Sequence, residues 1–336
     1  MTMTKPQHKP AHLTYPKSRR WQCLVLGRAG LDLYPAPDGS KINQAPSFSS
    51  DVGGSGGNIA VALARSGAKV SLISALSSDP VGQFVRQQLR AYGVDTHLLQ
   101  TTQANERTSL ALAEVRPDDC EVVIYRNDAA DLQVQANSDI SAALSQASNL
   151  VVTGTNLITP QSREQTLSIM REARQVGCNL WLDLDYRAWN WPDLETTRSA
   201  YQSAAALAHV LVGNPEEFAV LTSDFSQQVE ICRAQQQILL LKQGAAGATL
   251  YAGEARLHTG IYKLQPAKPY GAGDAFLGNL VAHYTGQQDW QQAICAGSAA
   301  AALVVSQRGC ASVMPNHKQI QDLQQQLSLS PAATWS

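Results

Sequence analysis

The chain predicts one α/β domain with a mostly parallel central sheet, on three observations. Short apolar runs the length of a buried strand recur at 21–26, 70–74, 150–153, 180–184, 210–212 and 238–241. Stretches with helical spacing separate them, and parallel neighbours need such crossover connections. No repeat of about 20–50 residues and no Pro- or Gly-rich linker interrupts the chain after residue 20. The 336 residues are therefore expected to form one large domain with a single inserted unit.

In chain order, residues 1–20 carry Lys5, Lys9, Lys17, Arg19 and Arg20, no acid, and no apolar core of a secretory signal, which predicts a disordered tail. The ordered domain is expected over 21–327, starting with the apolar run 21–26 that ends at Gly27. Two segments break the alternation, 32–52 and 107–126. In the second, strand-like 109–115 and 121–125 flank Pro117-Asp118-Asp119, a hairpin pattern. Together the two segments predict a small β lid. Helices are expected over 59–65, from Gly271 to about Tyr284, over the Ala-rich stretch 293–305, over 298–307 and over 318–327. Residues 328–336 are expected to fray.

Composition narrows the function. Against 27 acidic residues stand 26 Lys and Arg, which leaves no global field for nucleic acid or an anionic membrane. The longest small-apolar stretch, 293–305, is too short to span roughly 30 Å of hydrocarbon. Six cysteines lie scattered without a C-x-x-C pair, which argues against a zinc site or a disulfide framework and for reduced, cytoplasmic thiols. His12, Trp189, Trp191 and His209 stand near apolar or aromatic residues without metal-ligand spacing and are assigned no chemistry.

Two glycine-rich helix starts carry the chemistry. In Lys268-Pro-Tyr-Gly-Ala-Gly-Asp-Ala-Phe276, small residues let the backbone approach a ligand, and first-turn N–H groups attract an anion such as phosphate. Asp274 would sit in that turn as a base. Alone, the motif fits equally a tight turn whose Asp complements the helix dipole. The second start, Gly53-Gly-Ser-Gly-Gly-Asn58, implies a second anchored ligand. Neither is a Walker A loop, and neither fits G-x-G-x-x-G, since Ile59 and Phe276 stand where the third glycine falls.

These two motifs, with Asn214-Pro-Glu-Glu217 and Lys242-Gln-Gly-Ala-Ala-Gly247 between them, resemble the ribokinase-like (PfkB) family of sugar kinases, from residue 21 to about 320. The resemblance implies a three-layer α/β/α sandwich with a mostly parallel sheet and a small inserted β lid. It implies Asp274 as general base on a sugar hydroxyl, and the amides of Gly271, Ala272 and Gly273 as the anion hole for the transferred phosphoryl group. Asp32, Gly54 and Asn58 would hold sugar hydroxyls. Asn214, Lys242, Gly244, Gly247 and Gly273 would serve the nucleotide, and Glu217 would help hold Mg²⁺ through water. The bland alternatives are a turn aspartate for Asp32 and a helix-start acid for Glu217.

Within the family, residues 27–34, 124–131, 152–155 and 268–271 look most like 5-dehydro-2-deoxygluconokinases of inositol catabolism. Asp185-Tyr-Arg187 also resembles 2-keto-3-deoxygluconate kinases. Both substrates carry a carboxylate, for which Arg126 and Arg187 would form a clamp, if they are not plain surface ion pairs. The resemblance thus implies ATP-dependent phosphorylation of a small acidic sugar, with ATP and Mg²⁺ and room for a monovalent cation and a homodimer. The competing expectations are a 2-keto-3-deoxygluconate kinase, a fructokinase-like enzyme, and a non-catalytic sugar-binding regulator of the same fold. Two departures stand out: Lys268-Pro269 replaces the Asp-Thr of many members, and Asn279 replaces a small residue.

Overall fold

The computed structural model describes residues 13–15 and 19–336. Its central sheet has ten strands. From one edge they run β14 (Thr334–Trp335), β13 (Ala255–Thr259), β12 (Ala248–Ala252), β11 (Ile238–Lys242) and β10 (Val210–Gly213). The order continues with β9 (Asn179–Asp183), β8 (Asn149–Thr153), β1 (Cys23–Leu26), β4 (Val70–Ser77) and β5 (Leu99–Thr102). From β11 to β5 every pairing is parallel, and β12, β13 and β14 add an antiparallel edge. A second sheet, ordered β3 (Ser47–Gly53), β2 (Gly30–Ala36), β6 (Leu110–Ala113) and β7 (Val122–Tyr125), forms the lid.

The apolar runs lack alternation because both faces are covered. Cys23 and Val25 pack into one layer and Leu24 and Leu26 into the other. The first layer holds α1 (Ser55–Arg65), α2 (Pro80–Ala91), α8 (Ala272–Gln287), α9 (Trp290–Val305) and α10 (His317–Gln326). The second holds α3 (Ser138–Leu144), α4 (Pro160–Gln175), α5 (Leu194–Ala205), α6 (Pro215–Leu221) and α7 (Phe225–Ala234). The expected helices at 293–305 and 298–307 are one, α9, which starts at Trp290 because Asp289 caps it by accepting from the Gln292 amide.

Both chain ends differ from expectation where they are described. Thr14 donates its amide to Asn179 Oδ1, the Tyr15 hydroxyl donates to Asn149 Oδ1, and the Arg19 guanidinium donates to the carbonyls of Leu144, Ser145, Ala147 and Val176. These contacts hold the segment at the amino ends of β8 and β9, whereas the expected tail over 1–12 and 16–18 lies outside the described residues. At the other end, fraying is replaced by pairing: Thr334 and Trp335 cover the open edge of β13, which would otherwise leave its hydrogen-bonding groups unmatched.

Helices α1 and α8, whose first turns carry the two glycine motifs, lie in close contact. A Cβ on Gly278 would stand 2.6 Å from Ala62 Cβ and 2.9 Å from the Ile59 carbonyl oxygen. Asn279 bridges the same helices: its Oδ1 accepts from Ser66 Oγ at the end of α1, and its Nδ2 donates to the Ala275 carbonyl at 2.9 Å. Gly278→Leu is expected to lower unfolding stability by about 1–3 kcal/mol or more through overpacking, read as a lower urea midpoint. An unchanged midpoint would mean that the helices separate without cost.

Candidate active site

Strand β1 lies where the chain order reverses, with β4 on one side and β8 on the other. Open α/β sheets leave a crevice at the carboxyl ends of the strands at such a point. Here that crevice is a cavity of about 460 Å³. Gly54 and Asn58 of α1, Gly271 and Asp274 of α8, and Asp32 of the lid meet in its wall, with Arg126 and Arg187 facing them. Ala111, Ala113, Val122 and Ile124 of the lid hairpin close one side.

The two helix starts turn through left-handed glycines, Gly54 at φ 89° and Gly271 at φ 85°, and no side chain caps either. At α1 the Gly57 amide already donates to the Arg28 carbonyl at 2.9 Å. At α8 the first-turn amides of Gly271, Ala272 and Gly273 have no such cap, which suits an anion. Asn58 Nδ2 donates to Asp274 Oδ2 at 2.8 Å and joins the two motifs across the cavity. Burial, then the negative charge of Asp185, pushes the Asp274 carboxyl up to about 7, against the hydrogen bond from Asn58. A carboxyl poised there suits a general base.

On the lid side, Asp32 is buried, accepts from the Tyr34 hydroxyl at 3.1 Å, and is pushed by desolvation up to about 6. It needs glycine at 53, where a Cβ would stand 1.7 Å from Asp32 Oδ1. Asp32 is therefore no turn aspartate. Asp32 Oδ1, Ser55 Oγ and Asn58 Oδ1 are buried without a hydrogen-bond partner among the described residues, and all three residues line the cavity. Orphaned polar atoms of this kind fit a hydroxyl-bearing ligand.

Arg126 commits Nε and Nη2 to the fully buried Asp131 and Nη1 to the Thr155 carbonyl at 2.9 Å. A guanidinium has five N–H groups, so part of the fork stays free. Arg187 is more open, its Nη2 lying 2.8 Å from Asp185 Oδ1 and its Nη1 3.6 Å from Glu217 Oε1. Neither is a plain surface pair. A third arginine that sequence reasoning missed, Arg28, is buried on the same cavity and donates to Ser109 Oγ at 3.0 Å. Its signal was a charge directly after the buried run 21–26 and Gly27. Trp189, 72% exposed, also stands on the rim, although its sequence context suggested no role.

Asn214, Glu217, Lys242, Gly244 and Gly247 do not line this cavity and gather at the ends of β10 and β11. Asn214 and Glu217 form a reciprocal capping box at the start of α6. Glu217 is a buried helix-start acid, since Lys242 Nζ lies 3.8 Å from its Oε2 and 2.8 Å from Asp183 Oδ1. A Cβ on Gly273 would come within 3.4 Å of Lys242 Nζ, which brings this group beside the α8 amides. Gly247, at φ 89°, turns β11 into β12 so closely that a Cβ would strike the Thr259 carbonyl at 1.9 Å. Among the described residues no group of three or more His, Cys, Asp or Glu could hold a metal. Mg²⁺ commonly takes one or two carboxylates with waters and substrate phosphates, and Glu217 is a carboxylate of the group at the ends of β10 and β11.

The chain matches the model of the pfkB family carbohydrate kinases over residues 22–317. It belongs to the PfkB family of carbohydrate kinases. Among curated relatives, the 5-dehydro-2-deoxygluconokinase of Photobacterium profundum is 35% identical over 315 residues, covering 91% of this chain and 95% of that enzyme. That of Lacticaseibacillus casei is 32% identical over 310 residues, covering 90% and 95%. Among solved structures, the fructokinase with bound ATP from Xylella fastidiosa superposes with a TM-score of 0.81 at 24% identity, covering 91% of this chain and 98% of that one. A Vibrio cholerae fructokinase double mutant, in a form with fructose, ADP and potassium ion, gives 0.79 at 24%, covering 91% and 99%. The PfkB architecture expected from the motifs, a ribokinase-like α/β sandwich with a β lid, is the one observed.

Asp274→Asn is expected to reduce turnover by about 10²–10⁴ with the fold intact, because an amide cannot take the hydroxyl proton. Turnover above half of wild type would remove Asp274 from that role. A general base acts in its ionised form, so with Asp274 in that role kcat/KM is expected to fall below a midpoint near 7. Asp185→Asn removes a like charge and should move that midpoint to lower pH; an unmoved midpoint would show that Asp185 does not act on Asp274.

Proposed function

We propose that this PfkB kinase transfers the γ-phosphoryl group of ATP to the 6-hydroxyl of 5-dehydro-2-deoxy-D-gluconate. Asp274 accepts the hydroxyl proton as the new P–O bond forms and the bond to the ADP oxygen breaks. The Gly271, Ala272 and Gly273 amides meet the charge on the transferred group. Asp32 and Asn58 hold sugar hydroxyls with their unpaired oxygens. Lys242, Asn214, Gly244 and Gly247 serve the nucleotide side, where bound Mg²⁺ would neutralise phosphate charge with Glu217 reaching it through water.

One observation carries the choice of substrate: the cavity that holds the Asp274 carboxyl also holds three guanidinium groups, those of Arg28, Arg126 and Arg187. A neutral hexose has no use for them, whereas a sugar acid would take charge-assisted hydrogen bonds. The names of the relatives support the same substrate. The six unpaired thiols accord with a cytoplasmic location. Among the described residues no helix is long and apolar enough to cross a membrane.

Arg187→Met is expected to cost about one to two decades in kcat/KM on 5-dehydro-2-deoxygluconate, the usual worth of a charged hydrogen bond, and to change little on fructose. Arg126→Met should show the same preference together with lower thermal stability, because it strands the buried Asp131. Equal losses on both sugars would make a neutral-sugar kinase the better account.

A further inference from the structure

Lys268 is 0% exposed, a buried lysine that none of the steps above uses. Among the described residues it forms no ion pair with a carboxylate; its Nζ donates to the Tyr270 carbonyl at 2.7 Å and stands 4.9 Å from the centre of the Tyr270 ring. A Cβ on Gly271 would lie 3.3 Å from the same Nζ. The ammonium thus sits beside the Tyr270–Gly271 turn that opens α8 and is absent from the cavity wall. Burial draws its pKa below the usual lysine value, while the nearby Cys310, Asp274 and Asp32 act the other way. Burying an ammonium without a carboxylate is unfavourable, and an apolar side chain would serve packing better. The charge therefore calls for a use.

We propose that Lys268 is a positioning residue whose ammonium is a built-in monovalent cation. It pins the Tyr270 carbonyl, holds the Gly271 turn in its left-handed form and sets a tethered positive charge behind the anion hole, so that this kinase turns over without potassium. The role rests on those amides being the phosphoryl site. An ammonium and a potassium ion both satisfy carbonyl oxygens with one positive charge, but only the tethered one is present at every ionic composition. Potassium is a bound ion in the Vibrio cholerae fructokinase form named above.

The test is ADP release by the full chain on 5-dehydro-2-deoxygluconate, with ATP and Mg²⁺, in buffers whose monovalent cation is potassium, ammonium or choline. Wild type should turn over within about twofold in all three, and a wild type that requires potassium or ammonium would overturn the proposal without any variant. Lys268→Met, which keeps volume and loses charge, should lose about ten- to a hundredfold in kcat. Lys268→Ala should lose as much in choline and recover at least tenfold in ammonium or potassium, since the vacated space admits a small cation. A folded Lys268→Ala with no such recovery, or either variant above half of wild-type turnover in choline, would overturn it. A wild type inactive on every sugar in every buffer would overturn the kinase reading and this role together.

Discussion

The contact between the first turns of α1 and α8 is the constraint on which the rest of the site depends. Asn58 donates to Asp274 across it, so the residue proposed to hold the sugar also orients the proposed base. The spacing is set further down the same helices, where Gly278 admits Ala62 and Ile59, and where Asn279 joins Ser66 to Ala275. A packing defect about one turn from the cavity would therefore reach the chemistry through the helix axes, and small displacements of reacting groups are costly. Asn279, a departure from the family pattern, finds its physical reason in that bridge.

The two glycine-rich starts look alike in sequence but differ in what their amides already do. Gly57 gives its amide to the Arg28 carbonyl, so α1 is tied to the end of β1 and presents side chains, Ser55 and Asn58, to the cavity. The α8 amides stay open and present backbone. Under the proposed function the labour divides, with hydroxyl recognition at α1 and phosphoryl recognition at α8. The lid completes the first half: Asp32 reaches the cavity only because Gly53 on the paired strand lacks a Cβ. Arg308 ties lid to body, reaching Asp38, the Tyr34 and Pro35 carbonyls and Ser49.

Much of this was legible in the chain because parallel strands buried on both faces leave continuous apolar runs, and all six such runs lie on strands of the central sheet. The glycine motifs were legible because positive φ and close approach demand glycine. The antiparallel edge was not: the segments of β12 and β13 are short and mixed, and β14 gains its place only by pairing with β13. The burial of Arg28, and that of Lys268, which stood out only as a departure from the family pattern, stayed hidden for a related reason. Nothing in an isolated arginine or lysine tells whether tertiary packing will bury it, and their neighbours Gly27 and Pro269 carry no periodic signal. Glu217 shows the converse, since its motif was visible but its capping box and its ion pairs with Lys242 and Arg187 belong to three-dimensional packing.

The most direct measurement is a crystal structure of the chain with ADP, Mg²⁺, aluminium fluoride and 5-dehydro-2-deoxygluconate. The account places the fluoride centre on the amides of Gly271, Ala272 and Gly273, the accepting hydroxyl within about 2.6–3.2 Å of Asp274, and the sugar carboxylate toward Arg187. A fluoride centre seated on the Gly54 turn of α1, or an accepting hydroxyl turned away from Asp274, would contradict it.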